Sequence, residues 1–257
     1  MALICALVAG YMFVESQQAR TRTAREPRPY QPQVIEAIGA GSTGRLDAES
    51  ASEAVHTASQ PEESCDDLKV LVDRSHSLPP DYVPEDLVPL WAYGIPTLGG
   101  GEMFVRRVAA RHLRLLVEDA WADGQELVVA SAYRSYTDQQ VSHARLASIY
   151  GAGAEKMSAT PGHSQHQLGT AVDFTNAAAG YEVWRAFGDT TAYSWLRANA
   201  PEHGFVLAYP HGQEIQTGYQ WEPWHYRYVG RRNAERIEES GLTVQEFLAR
   251  EGVLPRC

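Results

Sequence analysis

Pro161-Gly162-His163-Ser164-Gln165-His166-Gln167-Leu168-Gly169-Thr170-Ala171-Val172-Asp173-Phe174 is the stretch on which the reading of this chain turns. It brings imidazoles and a carboxylate close together around glycines and ends on an apolar run. Leu168 to Phe174 has the composition of a strand. His166 and Asp173 are seven residues apart, so a straight strand would turn them to opposite faces. Gly169 offers a bend or bulge between them.

A second stretch, Glu222-Pro223-Trp224-His225-Tyr226-Arg227-Tyr228, supplies a further imidazole and another carboxylate. Two imidazoles and one carboxylate, with a position left for water, form a usual catalytic zinc set. His166, Asp173 and His225 can provide it. Glu222 precedes His225 by three, and Pro223 biases Glu222 away from helical geometry, so this is not a helical HExxH arrangement. An unligated carboxylate beside metal-bound water would serve as general base. The spacing equally allows Asp173 and Glu222 merely to satisfy buried hydrogen bonds. His56, His112 and His143 read as solvated residues in a linker and two helices.

Around these stretches the chain reads as one domain with a long N-terminal extension. Ala2 to Val14 is an apolar run, suited to a secretory signal core and short for a membrane span. No Lys or Arg precedes it, no clean A-x-A site follows it, and Arg20, Arg22, Arg25 and Arg28 come after it. Residues 1–14 are thus expected to be a leader or membrane anchor, and export is the expected fate. Residues 15–64 lack a sustained apolar period and are expected to be a disordered linker. All six Trp lie beyond Cys65, so residues 65–257 are expected to hold the core.

Within that region a strand is expected at 68–72, an extended proline-rich segment at 78–84, and an amphipathic helix at 104–123. Another strand follows at 126–132, then a helix to about Tyr150 opened by a capping box of Thr137 and Gln140. Further strands are expected at 168–174, 205–209 and 224–229. Helices are expected near 181–199, 231–240 and 243–250, the last two separated by Gly241. The irregular mixture of strands and helices indicates α+β rather than a doubly wound sheet.

Composition narrows the function. Hydrophobic residues make up 44% and charged residues 21%, ordinary for a globular protein. A formal net charge of −10 argues against general nucleic-acid binding. The three cysteines, Cys5, Cys65 and Cys257, include no CxxC pair, so a metal here would be held by imidazole and carboxylate. Cys65 opens the expected domain and Cys257 ends it. Because domain termini often lie close together, the two are expected to pair as a disulfide, with Cys5 left in the leader.

Three blocks in the expected order resemble the VanY-like D-alanyl-D-alanine carboxypeptidases, zinc peptidases of the hedgehog/D,D-peptidase fold. They are Ser131-Ala132-Tyr133-Arg134-Ser135-Tyr136 with Gln139, the block from His166 to Asp173, and Glu222 to Tyr228. The resemblance covers about residues 65–257 and implies a small antiparallel sheet flanked by helices. It implies one zinc ion on His166, Asp173 and His225, with Glu222 as catalytic base. It implies that Arg134 binds substrate, and that Ser131, Tyr133, Gln139 and Trp224 line the pocket. The implied reaction is hydrolysis of the C-terminal D-Ala peptide bond of peptidoglycan stem peptides, outside the cytoplasm. An L,D-carboxypeptidase, a wall endopeptidase and a silent zinc module that recognises the wall are the alternatives on the same scaffold. Gln165 departs from the family pattern, standing where many relatives carry Glu just before the first His.

Overall fold

The computed structural model describes residues 65–255. The expected leader, the linker and Cys257 lie outside them. Six short strands and five principal helices make up the described part. Strands β1 (Leu87–Pro89) and β2 (Phe104–Arg106) form an antiparallel pair. Strands β3 (Val128–Ser131), β4 (Ala171–Thr175), β5 (Phe205–Leu207) and β6 (His225–Tyr228) form a four-stranded sheet in the order β3-β4-β6-β5. Every pairing in that sheet is antiparallel, so the fold is α+β as expected.

The two central strands, β4 and β6, are buried at every residue. Their side chains still sort by the two-residue pleat. Val172, Phe174, Tyr226 and Tyr228 join the larger apolar core. Helix α1 (Arg107–Ala122) lays Ala109, Ala110, Leu113, Leu116 and Ala120 into that same core, one stripe at helical spacing. Burying such a stripe stabilises by about 25 cal/mol per Å² of apolar surface removed from water. On the strand β5, Phe205 and Leu207 belong to the larger core and Val206 to a second cluster. That second cluster is closed by Ala234 and Ile237 of α4 (Arg231–Ser240) and by Val244, Phe247 and Leu248 of α5 (Val244–Glu251).

Several local expectations shift. The predicted strand at 68–72 is reduced to one bridge, Val70 with Val253, because its neighbours bond to the chain's C-terminal segment. The first three residues of the predicted 104–123 helix are instead strand β2, since Phe104–Arg106 finds a partner in β1. The helix α2 (Tyr136–Tyr150) is capped by Ser135, whose hydroxyl accepts from the Asp138 amide, rather than by Thr137. The helix expected at 181–199 starts only at Thr191 (α3, Thr191–Asn199), where Thr190 caps it. Helix α4 has the expected bounds and α5 differs by one residue, with Thr243 and Glu246 forming a capping box. None of the described helices is long and apolar enough to cross a membrane.

Candidate metal centre

The pleat that sends Val172 and Phe174 into the core leaves Asp173 on the opposite face of β4. His225 on β6 is its direct partner across the strands. His166 arrives from a 3₁₀ turn at Gln165–Leu168, closed by Gly169 in the left-handed region at φ 67°. That bend carries the chain from His166 back into β4, as the glycine in the sequence suggested. The Gly169 carbonyl also accepts from the Arg106 amide, tying the bend to β2.

The three side chains meet. Their donor atoms lie within 4.8 Å of one another, and all three residues are buried. His166 Nε2 is 3.3 Å from one Asp173 carboxylate oxygen, and His225 Nδ1 is 2.9 Å from the other. The imidazole rings are edge-on, 4.9 Å between centroids. Two ligands of a tetrahedral zinc ion at about 2.1 Å would sit about 3.4 Å apart, so the spacing suits the ion.

The hydrogen bonds behind the cluster make the same point. His166 Nδ1 is 2.7 Å from the Ala132 carbonyl, which can only accept, so that nitrogen carries the proton. Nε2 then faces the Asp173 carboxylate with a lone pair when the ring is neutral. Burial, partly offset by Asp173, lowers the pKa of His166 to about 4, so the ring is neutral at pH 7. For Asp173, burial favours the neutral acid, but the His166 and His225 imidazoles outweigh it and hold the group well below the usual carboxylate range. A neutral imidazole lone pair against an ionised carboxylate is an arrangement completed by a cation. On this observation the donor set fits zinc.

Glu222 sits at the turn that leads into β6; its own amide donates to the Tyr209 carbonyl and its carbonyl accepts from the His225 amide. Its carboxyl is buried, and burial followed by the charge of Asp173 pushes its pKa well up, with Arg134 pulling the other way. Arg134 lies just past β3, its amide donating to the His166 carbonyl at 3.3 Å. The guanidinium Nε is buried with no partner among the described residues.

A cavity of about 970 Å³ opens over these groups. Arg134, His166, Asp173, Glu222 and His225 all line it, as do Gln139 and Trp224. Gln139 does so while its amide donates to Ser158 Oγ and the Ala159 carbonyl, so it also braces the cavity wall. Ser131 and Tyr133, expected in the pocket, are not among the lining residues. An extended backbone alternates its side chains. Arg134 lines the cavity, so its neighbour Tyr133 is turned from it, while Ala132 packs in the larger apolar core. His163 also stands apart, its Nδ1 2.7 Å from the Asp73 carbonyl.

Some lining residues escaped the sequence reading. Tyr209 packs its ring 4.9 Å from that of His225 and 4.9 Å from that of Tyr219. Trp184 stacks on Trp224 with an interplanar angle of 15°. Leu146 and Ile149 form an apolar wall from α2. The available signal was the apolar residues of that helix, which stay at the surface instead of entering a core: Val141 and Ile149 are among the exposed hydrophobics.

The profile of the VanY family, described as D-alanyl-D-alanine carboxypeptidase, matches residues 102–231. A putative carboxypeptidase of Bacillus subtilis, YodJ, is 35% identical over 189 residues, covering 71% of this chain and 67% of that protein. Among solved structures, the LD-carboxypeptidase LdcB superposes at a TM-score of 0.66 with 36% identity, over 74% of this chain and 88% of that one. A variant of the vancomycin-resistance D,D-pentapeptidase VanY in complex with Zn(II) superposes at 0.58 with 33% identity, over 70% of this chain and 98% of that one. Half of the chain thus matches the family profile, and it does so across the segment that carries Arg134, His166, Asp173, Glu222 and His225. The chain belongs to the VanY D-alanyl-D-alanine carboxypeptidase family.

Proposed function

We propose that the chain is a zinc-dependent carboxypeptidase that removes the C-terminal D-alanine from peptidoglycan stem peptides. The observation that carries this reading is the meeting of His166, Asp173 and His225, buried with donor atoms within 4.8 Å of one another, at one cavity that Glu222 and Arg134 also line. The three ligands would hold one zinc ion. The chemistry zinc supplies when bound is Lewis acidity toward water and toward the scissile carbonyl.

The chain's own groups supply the remainder. Glu222 takes a proton from the attacking water on its carboxylate and delivers it to the leaving amine. Arg134 lines the cavity, and the free carboxylate of a peptide bound there would form a charge-assisted pair with its guanidinium. Burial of His166, Asp173, Glu222 and His225 lowers the local dielectric and strengthens each interaction among them.

The LD-carboxypeptidase superposition, at 0.66 against 0.58 for the D,D-pentapeptidase, supports a second reading in which the bond cleaved is L,D. Synthetic stem pentapeptide and tetrapeptide, each with a free or an amidated C-terminus, separate the two. Loss of one alanine from the pentapeptide alone is expected. Cleavage of the tetrapeptide alone would establish the L,D reading, and equal turnover of amidated peptides would remove Arg134 from carboxylate recognition.

The family's wall substrate supports action outside the cytoplasm, with residues 2–14 as leader or anchor and residues 15–64 as spacer to a domain at 65–257. In that oxidising setting we propose a Cys65–Cys257 disulfide. Cys65 is buried, and Val253 donates to the Lys69 carbonyl at 3.1 Å, bringing the end of the domain beside its beginning. Closing a loop of about 190 residues would stabilise by roughly 5 kcal/mol on the chain-entropy model. Two alkylatable thiols at these positions in unreduced, exported protein would refute the bridge.

A further inference from the structure

Gln165 is buried at 1% exposure and immediately precedes His166, the first imidazole of the metal centre. Its Oε1 lies 3.2 Å from His225 Nε2. The other nitrogen of that ring, Nδ1, faces Asp173. The amide nitrogen of Gln165 is buried with no partner among the described residues, so no competing bond orients the side chain. We infer that Gln165 is the positioning residue that sets the tautomer of His225, accepting from Nε2–H through Oε1 so that Nδ1 presents its lone pair to the metal.

The two nitrogens of the His225 ring have different partners. A neutral imidazole carries one proton, and a metal can take only the nitrogen without it. Nδ1 is the nitrogen within the donor cluster, so Nε2 must keep the proton and find an acceptor in a buried place. The Gln165 carbonyl oxygen is at hydrogen-bond distance. The companion ligand is treated alike: the Ala132 carbonyl holds the proton on His166 Nδ1 and frees Nε2. The two histidines thus bind through different nitrogens, one set by a main-chain oxygen and the other by a side-chain amide. Such a partner commonly governs ligand orientation and metal affinity.

A neutral acceptor has a chemical consequence. A carboxylate at position 165 would add a negative charge beside His225 and draw its proton more strongly, making the ring a stronger electron donor. Gln165 fixes the geometry without that charge. Gln165 also lines the cavity, but its role here is exerted through His225, which makes it a positioning residue. The inference rests on the metal reading above, and the test keeps the two separable.

The test uses the full chain and zinc itself. Zinc affinity is measured by competition with a chromogenic chelator for the parent, for Gln165→Leu and Gln165→Met, which remove the acceptor, and for Gln165→Glu, which keeps it. The two apolar variants are expected to bind zinc about 10- to 100-fold more weakly, and the Glu variant within a few-fold of the parent or tighter. In parallel, ¹⁵N-histidine NMR of the zinc-loaded parent is expected to show His225 protonated at Nε2 and metal-bound at Nδ1. A parent bound through Nε2 of His225 would overturn the assignment, whether or not any variant folds. So would unchanged zinc affinity in a folded Leu or Met variant. A parent that binds no zinc would overturn the metal reading itself, and a parent whose zinc is lost with His225→Ala upholds it independently of Gln165.

Discussion

Glu222 is a carboxyl in a buried cavity whose nearest opposing influences are the Asp173 carboxylate and the Arg134 guanidinium. Replacing it with Gln keeps volume and hydrogen-bonding shape while removing the ability to take a proton. Turnover of Glu222→Gln is expected to fall by about 10²–10⁴-fold. Zinc content, measured by elemental analysis, is expected to stay at the parental level. Near-parental turnover at full zinc occupancy would strip Glu222 of the role of base. At this scale the sequence was informative about which residues meet, because the imidazoles, the two carboxylates and Arg134 lie in three short blocks. It was not informative about which nitrogen of each ring is free. That depends on the Ala132 carbonyl and the Gln165 amide, whose positions are set by tertiary structure.

Among the elements, the bend at Gly169 does the most to join fold and site. Its φ of 67° is in the region L side chains rarely adopt, and an added Cβ would come within 2.9 Å of Leu87 and 3.0 Å of Arg106. Gly124 has a similar φ of 73° but open space around it. Gly124→Ala is therefore expected to cost about 1–2 kcal/mol, from conformation alone. Gly169→Ala should cost that plus a crowding penalty of about 1–3 kcal/mol. It should also weaken zinc binding, since His166 lies on the near side of the bend and Asp173 on the far side. Chemical denaturation of both variants checks the ordering; equal losses would show that the space around Gly169 can relax. The glycine was legible as a bend between ligands. The start of α1 was not, because Phe104 and Val105 fit a helical stripe and a strand equally well, and only the pairing with β1 decides between them.

For the whole molecule, helix α1 meets the end of strand β6 at His112, whose ring is 5.1 Å from that of Tyr228. Burial lowers the pKa of His112, with Arg231, His203 and Arg111 adding to it. Burial likewise lowers His203, with Asp119 opposing. A lowered histidine is neutral in the folded state while the unfolded chain takes up a proton below about pH 6.5. The unfolded state then binds more protons, so stability falls as pH drops through that value. The fall in Tm of the parent between pH 7 and 5.5 is expected to be shallower in His112→Gln. An unchanged slope would show that His112 ionises alike in both states.

The mass of the product from a stem pentapeptide with a free C-terminus decides whether the chain is a zinc carboxypeptidase. The chain is assayed as purified, after removal of metal by chelator, and after zinc is restored. The expected result is release of a single C-terminal alanine, abolished by the chelator and recovered with one zinc ion per chain. Cleavage that proceeds unchanged in metal-free protein, or no cleavage of either stem peptide at full zinc occupancy, would contradict it.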